Sequence, residues 1–411
     1  MTGSHTSNVW AKTTDLQVVS GRGCRVVDVD GNEYLDFTAG IAAASTGHSH
    51  PKVVQAIADQ AAKFIHAQQN VYTHNLLEPL AARLDEITPA SIDTFFFANT
   101  SDEVLEVAVK VAKHATGRHN IVVFDGAFHG RTHLTMGMST ARAIDREGYG
   151  PFPAGIFVAP FPDPHASDQE EEITRALRGF DRLLQTQVAA EEIAAIVIEP
   201  IVSERGYIPT PADFISGLAE RCRDHGILFV ADEVQSGFGR TGRMFAIDAH
   251  DVEPDMLCMA KGIASGFPFA ALGMRRSIDA AWRVGSQGGS TNGNPIGCAA
   301  ALATIGVITE PGFLDNVHAR GTQLIDELRD MQQLDAALLY VRGRGLMVAT
   351  EFDTAERADA VVAHCLRESR VILMKAGTRN RTIRWMPPLV VTSDEINEAS
   401  KAFATAIRAT S

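Results

Sequence analysis

The segment Leu228-Phe229-Val230-Ala231-Asp232-Glu233-Val234-Gln235 is followed further along the chain by Met259-Ala260-Lys261-Gly262. In each case a short apolar run leads to a charged side chain at what should be the C-terminal end of a buried strand. In an open α/β sheet, ligands bind outside the carboxyl ends of the strands. The sequence therefore predicts that Asp232 and Lys261 converge on one crevice.

A lysine and an aspartate together suit one cofactor chemistry. A lysine amine can hold an aldehyde cofactor as a Schiff base, and an aspartate can keep a pyridine nitrogen protonated, as pyridoxal phosphate (PLP) requires. Each residue alone also has a plainer interpretation. Asp232-Glu233 after a strand is often a polar loop, and a lysine at a strand end is most often solvated. The rest of the chain has to decide between these alternatives.

Short apolar runs alternate with amphipathic helical patterns between Phe95 and Arg275. Such alternation predicts an α/β fold with a mostly parallel sheet that helices cover on both faces. The predicted strands, seven in all, are Thr94–Phe97, Ile121–Phe124, Gly155–Ala159, Ala194–Ile198, Ile227–Ala231, Met256–Ala260 and Phe269–Met274.

The regions on either side follow other patterns. The runs 17–19 and 25–29, with the turn Asp30-Gly31-Asn32, predict a small hairpin. Further strand patterns follow the glycine-rich loop 285–297, and Thr392 and Glu395 have the spacing of a capping box at the start of a last helix. These patterns predict a smaller α+β unit. We expect three parts: a segment 1–47 packing with the small domain, a large PLP-binding domain 48–310, and a C-terminal small domain 311–411.

Composition narrows the possible partners and setting. The 411 residues include 37 basic and 50 acidic side chains, which give a net charge of -13. No basic stripe forms, so we expect no nucleic-acid partner. The five cysteines are scattered singly, which predicts a reducing, cytoplasmic setting and no metal site. We expect neither a signal peptide at Met1–His5 nor a membrane span in the polar, glycine-containing stretch 284–309.

Two other segments have residues that could bind a cofactor or substrate. Thr100-Ser101-Asp102-Glu103 follows a predicted strand and begins a helix, where backbone N–H groups suit a phosphate; a plain capping box is the alternative. In Phe128-His129-Gly130-Arg131, the aromatic ring could stack on a flat cofactor and Arg131 could fork onto a carboxylate. A core phenylalanine and a solvated arginine are the plainer alternative.

The ordered set of motifs resembles the class III, fold-type I PLP-dependent aminotransferases, in the branch of 4-aminobutyrate, ornithine and acetylornithine aminotransferases. The similarity runs in family order from about residue 20 to the C-terminus. It implies a large domain with a mostly parallel seven-stranded sheet and a smaller α+β domain. The matching segments are 28–36, Gly47-His48, 128–132, Glu199-Pro200, 232–242, Ala260-Lys261-Gly262, Gly293-Asn294-Pro295 and 384–389.

The resemblance implies a role for each candidate cofactor residue. Lys261 would be the Schiff-base lysine and proton carrier, and Asp232 would pair with the pyridinium nitrogen. Val234 and Phe128 would cover the two ring faces, while Ser290 would reach the phosphate from a neighbouring subunit, which requires a homodimer or a tetramer built from dimers. The implied cofactor-binding residues are Ser101, Asp102, Phe128, His129, Glu199, Asp232, Val234, Gln235, Lys261 and Ser290.

The resemblance also implies how substrates bind. Arg131 would hold a distal carboxylate and Arg384 the α-carboxylate of 2-oxoglutarate or glutamate, while Glu204 would neutralise Arg384 when an ω-amino acid is bound. Ile41 stands where ornithine aminotransferases have tyrosine. We therefore expect a ping-pong transfer from a 4-aminobutyrate-like donor to a keto acid. Acetylornithine or ornithine transamination, and a racemase or aminomutase on the same scaffold, are the alternatives.

Some positions depart from the family pattern. Asp102 places a carboxylate where the cofactor phosphate is expected, unless it points outward as a helix-start residue. Val202 and Arg205 replace residues of a Gln-Gly-Glu-Gly-Gly segment, and Thr291 replaces an aromatic residue. These positions are where we expect the substrate pocket to differ from that of relatives.

Overall fold

The computed structural model describes residues 5–410. Residues 1–4 and 411 lie outside the described residues. They include most of the Met1–His5 segment, for which no signal peptide was expected, and the outer ends of the predicted parts 1–47 and 311–411. Within 5–410 no single helix is long and apolar enough to cross a membrane, although the pair 295–308 and 313–334, bent by 70°, reaches that length and composition together.

The N-terminal region forms an antiparallel meander where the sequence predicted a hairpin. Its strands are β1 (Val18–Arg22), β2 (Arg25–Asp28) and β3 (Glu33–Asp36). The Asp28 carboxylate accepts hydrogen bonds from the backbone N–H of Asp30 (3.0 Å) and Asn32 (2.8 Å), which closes the turn between β2 and β3. The predicted turn is therefore present, but it leads into a third strand that the sequence analysis did not assign.

A left-handed turn follows the meander at Ala39–Ala42. Its four residues all have positive φ, from 46° at Ala39 to 63° at Ile41. Left-handed backbone costs a non-glycine residue about 1–2 kcal/mol. Surrounding contacts must hold this conformation, and composition alone did not predict it.

The large domain alternates strands and helices as expected. The strands are β4 (Thr94–Ala98), β5 (Asn120–Phe124), β6 (Ile156–Ala159), β7 (Ile193–Ile198), β8 (Ile201–Val202), β9 (Ile208–Pro209), β10 (Leu228–Asp232), β11 (Met256–Met259) and β12 (Ala270–Met274). The helices are α1 (Pro51–Lys63), α2 (Leu77–Asp85), α3 (Ser101–Thr116), α4 (His133–Met138), α5 (Gln169–Thr186), α6 (Ala212–His225), α7 (Arg276–Ala281) and α8 (Pro295–Ile308).

One seven-stranded sheet organises this domain, in the order β4-β12-β11-β10-β7-β5-β6. Strand β12 is antiparallel to both of its neighbours, and the other pairings are parallel. Alternate residues of β10 enter opposite cores: Phe229 and Ala231 pack on one face and Val230 on the other. The predicted mostly parallel seven-stranded sheet is confirmed.

The small domain has its own core around Trp385, Phe352 and Phe403. Its strands are β13 (Leu338–Arg344), β14 (Met347–Phe352), β15 (Val371–Ile372), β16 (Met374–Ala376) and β17 (Thr382–Trp385), and its helices are α9 (Phe313–Leu334), α10 (Ala355–Ser369) and α11 (Ser393–Ala409). Strands β13, β14, β17 and β16 form one sheet, whereas β15 pairs in parallel with β3 in another. The first strands of the chain thus share a sheet with this domain.

Candidate active site

The carboxyl ends of β10 and β11 open on a cavity of about 210 Å³. Asp232 is the last residue of β10 and lies in register with Cys258 of β11, while Lys261 follows the end of β11. Both side chains line the cavity, so the two strand ends meet as expected. The full lining is Ser101, Asp102, Leu105, Phe128, His129, Gly130, Arg131, Glu199, Ser203, Asp232, Val234, Gln235 and Lys261.

Two carboxylates and one imidazole form the inner end of the cavity. Nδ1 of His129 lies 2.8 Å from Oδ2 of Asp232, and the backbone N–H of Val234 donates to Oδ1 of Asp232 at 3.1 Å. Glu199 accepts from the backbone N–H groups of Phe128 (2.9 Å) and Ser203 (3.0 Å). Burial and the nearby Asp232 charge raise the pKa of Glu199 to about 7. These hydrogen bonds hold the Asp232 and Glu199 carboxylates in one orientation.

Lys261 begins a short 3₁₀ turn, Lys261–Ala264, in a left-handed conformation with φ of 44°. Such backbone strain in a non-glycine residue is concentrated at functional sites. Burial lowers the pKa of Lys261, and so does the charge of Arg384. The carboxylates of Glu204 and Asp232 raise this pKa but do not outweigh the lowering. A larger fraction of the amine is consequently neutral, which is the form that attacks a carbonyl.

At the start of α3, the sequence left open a phosphate-binding site or a plain capping box, and these two interpretations are compatible. The capping box between Thr100 and Glu103 is present, and Ser101 and Asp102 also line the cavity. Asp102 lies in the first turn of this helix, and its carboxylate contacts a neighbouring loop. Its Oδ1 accepts from the backbone N–H groups of Arg131 and Thr132 (3.2 Å), which lie just before α4. These donors pull the carboxylate toward the Arg131 loop.

Arg131 lies at the outer rim of the cavity. Its guanidinium lies over the Phe128 ring, 5.5 Å from the centroid, and pairs with Oδ1 of Asp145 at 3.2 Å. The side chain is 60% exposed, so its charge is available to a ligand entering from solvent.

A buried ion pair between Arg384 and Glu204 lies beside the cavity, next to Ser203 in the lining. Arg384 is only 2% exposed, and its other contacts are uncharged: Sδ of Met374 at 3.5 Å, and Tyr207, whose ring lies 5.7 Å from the guanidinium carbon and whose hydroxyl also interacts with the guanidinium. Burial favours the neutral form of Glu204, but the charges of Arg384 and Lys261 outweigh it and lower the Glu204 pKa. Glu204 also raises the pKa of Arg384. Both groups are charged at neutral pH.

Besides Glu204 and Arg384, two further predicted residues are absent from the lining of this cavity. Ile41, in the left-handed turn, is 41% exposed, and Ser290 is exposed in the loop between α7 and α8. A single chain does not bring either side chain to Lys261.

Three residues in or beside the site were not predicted from the sequence: Ser203, Tyr207 and Met374. Ser203 and Tyr207 flank the Glu204-Arg205-Gly206 segment that the family pattern identified, so the nearby motif was the available signal. Met374 comes from β16, and no local pattern pointed to its contact with Arg384.

The donor set fits PLP in this cavity. Oε1 of Gln235 and Nε2 of His129 are buried and have no hydrogen-bond partner within residues 5–410, so polar groups remain for a bound molecule. Lys261 supplies an amine, Asp232 a carboxylate for a ring nitrogen, and Phe128 and Val234 supply apolar surfaces. Across the described residues, no group of three or more His, Cys, Asp or Glu side chains could hold a metal ion.

Comparisons with known proteins agree with this chemistry. A family model for class-III aminotransferases matches residues 6–407. The chain is 36% identical to a probable 4-aminobutyrate aminotransferase of Bacillus subtilis, over 95% of this chain and 92% of that protein. It is also 36% identical to an acetylornithine aminotransferase of Archaeoglobus fulgidus, over 92% of each chain.

The comparison with solved structures finds a transaminase with the same fold. The structure of a PLP-bound amine transaminase from an uncultivated Pseudomonas species matches with a TM-score of 0.91 and 27% identity, covering 100% of this chain and 98% of that chain. The family match spans nearly the whole sequence, and the cavity has the residues that PLP needs. The chain therefore belongs to the class-III aminotransferases and is a PLP-dependent transaminase.

Proposed function

We propose that this enzyme moves an amino group from an ω-amino acid such as 4-aminobutyrate to 2-oxoglutarate in a ping-pong cycle. The buried Glu204–Arg384 pair is the observation that carries the proposal. A buried arginine is costly without a carboxylate partner. Glutamate and 2-oxoglutarate bring an α-carboxylate that can take this place, whereas an ω-amino acid presents none near its amine. Glu204 therefore serves as the partner in one half-reaction and yields to the substrate in the other.

When bound, PLP supplies the electron sink that makes the substrate C–H bond acidic. Lys261 would hold the cofactor and then, as a free amine, move the proton between the substrate carbon and the cofactor. The contacts of Asp232 with His129 and Val234 support its role as the fixed anion beside the ring nitrogen. Gln235 would donate to or accept from the ring hydroxyl.

We assign the cofactor phosphate to the backbone at Ser101 and Asp102, with Ser290 of a second subunit. Asp102 brings a negative charge near that phosphate, and its bonds to the Arg131 and Thr132 N–H groups draw the charge aside. Arg131 would then hold the distal carboxylate shared by 4-aminobutyrate and 2-oxoglutarate, with Ile41 among the residues lining the substrate side.

We also propose a homodimer, possibly paired into a tetramer. Large apolar side chains are exposed around the loop that has Ser290: Val284 is 98% exposed, Val71 74% and Ile65 66%. Residue 293 of this loop accepts a hydrogen bond from Nε2 of His74 at 2.8 Å, which places the 64–74 and 284–293 segments side by side. An apolar surface of this kind is typical of a subunit interface, and sedimentation velocity of the holoenzyme tests it.

The division into parts 1–47, 48–310 and 311–411 and the cytoplasmic setting also remain proposals. The separate cores of the large and small domains support the first, although residues 1–4 and 411 lie outside the description. Five buried cysteine thiols support a reducing environment. Limited proteolysis of the holoenzyme tests the domain boundaries.

A panel of donors distinguishes the candidate reactions. Holoenzyme is mixed separately with 4-aminobutyrate, β-alanine, ornithine, N-acetylornithine and glutamate, and the cofactor absorbance is followed. We expect rapid conversion by 4-aminobutyrate and glutamate and none by ornithine. Conversion by N-acetylornithine instead would favour the acetylornithine alternative, and repeated turnover without any keto acid would favour an isomerase.

A further inference from the structure

A second cavity, of about 650 Å³, lies at the junction of the two domains. The large domain contributes Arg243, helix α9 contributes His318, and the end of β13 contributes Arg344. These three residues define what we call the basic groove. None of its lining residues lines the Lys261 cavity, and none is acidic.

The basic groove is positively charged, although the whole chain has a negative net charge. The net charge of the sequence is -13. Elsewhere in the described structure, arginines such as Arg221, Arg342 and Arg357 form ion pairs with carboxylates. Within residues 5–410, no ion pair involves Arg243 or Arg344. Their combined field is felt at the neighbouring His250, whose pKa burial and these two arginines lower to about 4. Two arginines that form no close ion pair within residues 5–410 therefore line one cavity, and the carboxylate of Asp248, whose charge interacts with that of Arg243, lies outside its lining.

Close backbone packing fixes the walls of the basic groove. A side chain at Gly345 would collide with the backbone of Thr241 and Gly242, and a side chain at Gly321 on α9 would collide with Gly345. The α9 helix, the β13–β14 turn and the 241–242 segment thus touch at backbone distance. Arg344 of the small domain is held at a set position relative to Arg243 of the large domain.

We propose that the basic groove binds a multivalent organic oxyanion, a phosphate monoester or a polycarboxylate, that bridges the large and small domains. Planar guanidinium groups bind phosphate and carboxylate oxygens in a two-pronged geometry. The volume suits a small metabolite. The hydroxyl-bearing side chains of Thr241 and Thr322 add polar lining. Because the ligand contacts both domains, it stabilises their relative arrangement by mass action.

Calorimetric titration of PLP-saturated holoenzyme tests the proposal. Citrate and glycerol phosphate are titrated at constant ionic strength into the wild type, an R243A/R344A double variant and an R178A control, whose exposed arginine lies on α5. Saturating the enzyme with PLP keeps these anions from the cofactor phosphate position. Both substituted groove arginines are exposed, so the double variant should fold, and an unchanged circular dichroism spectrum verifies this.

We expect saturable binding of at least one anion to the wild type and the control, weakened at least tenfold in the double variant. A matching rise in the unfolding temperature should occur only where binding occurs. Tighter binding of citrate identifies the ligand class as a polycarboxylate, and tighter binding of glycerol phosphate identifies it as a phosphate monoester. Equal binding by the double variant, or saturable binding of neither anion to the wild type, overturns the proposal.

Discussion

The two ends of the active-site region hold their carboxylates in different ways. At the inner end, Asp232 and Glu199 accept hydrogen bonds from backbone N–H groups and from an imidazole that is itself buried. At the outer end, Glu204 binds the side chain of Arg384, whose other neighbours are a thioether and an aromatic ring.

This difference separates a fixed charge from an exchangeable one. Backbone donors cannot move away, so the inner carboxylates keep one arrangement through both half-reactions. Side chains can rotate, and the other partners of Arg384, Met374 and the Tyr207 hydroxyl, are uncharged. In the proposed ping-pong cycle, an incoming carboxylate would replace Glu204 by side-chain rotation alone.

Removing the fixed charge should have the largest effect. In Asp232→Ala, we expect kcat to fall by on the order of 10²- to 10³-fold, because a preorganised charge at the reacting centre is lost. Steady-state rates with 4-aminobutyrate and 2-oxoglutarate measure this. Glu233→Gln is the matched control, since its carboxylate turns into the core and accepts from Ser236 Oγ and the Ile247 N–H. An equal loss of kcat in the control would indicate that the substitutions act by disturbing the fold.

Removing the exchangeable partner should act on substrate binding. In Arg384→Met, we expect the KM for 2-oxoglutarate to rise by about 10²-fold with a smaller change in kcat, because the α-carboxylate loses a buried charged partner. Initial rates over a range of 2-oxoglutarate concentrations give both constants. Arg381→Met is the control, since Arg381 pairs with Glu351 (2.7 Å). A similar KM in both variants would contradict the assignment.

Arg131 sharpens the comparison because it is neither buried nor fixed by a single partner. In Arg131→Met, we expect the KM values for 4-aminobutyrate and 2-oxoglutarate to rise together by about 10-fold, since solvent screens an exposed pair. Arg142→Met provides the control, because Arg142 binds the same Asp145 carboxylate (3.0 Å). A larger effect in Arg142→Met would move the distal carboxylate site there.

The inner carboxylates should also make stability depend on pH. Burial and Asp232 raise the pKa of folded Glu199 to about 7, above its ordinary value of 4.5. The folded state then binds more protons than the unfolded state between these values, so stability falls as pH rises through this window. Thermal unfolding of cofactor-free protein at about pH 5 and pH 8 should show this fall. Glu199→Gln should reduce it, and an identical fall in the variant would contradict the prediction.

The sequence predicted those parts of the fold and site that depend on local pattern. The apolar runs before Asp232 and Lys261 indicated parallel strands, and parallel strands bring their carboxyl ends to one edge. The capping boxes at Thr100 and Thr392 were also predictable, because three-residue spacing sets them.

Contacts between distant segments could not be predicted in this way. The bond from the Arg131 backbone to Asp102, the contact of Met374 with Arg384 and the left-handed turn at Ala39–Ala42 depend on how separate elements pack. No periodicity or residue spacing encodes these contacts. Of these, the contact of Met374 with Arg384 belongs to the ion pair beside the cavity, which carries the proposed function.

The exchange of Glu204 for a substrate carboxylate is tested most directly by paired half-reactions. Single-turnover rates with 4-aminobutyrate and with glutamate are measured in the wild type and in Glu204→Gln by following the cofactor absorbance. A neutral glutamine cannot compensate Arg384, so the variant should lose at least about 10-fold in rate with 4-aminobutyrate and keep its rate with glutamate. Equal slowing with both donors, or no slowing with either, would contradict a Glu204 that alternates with the substrate.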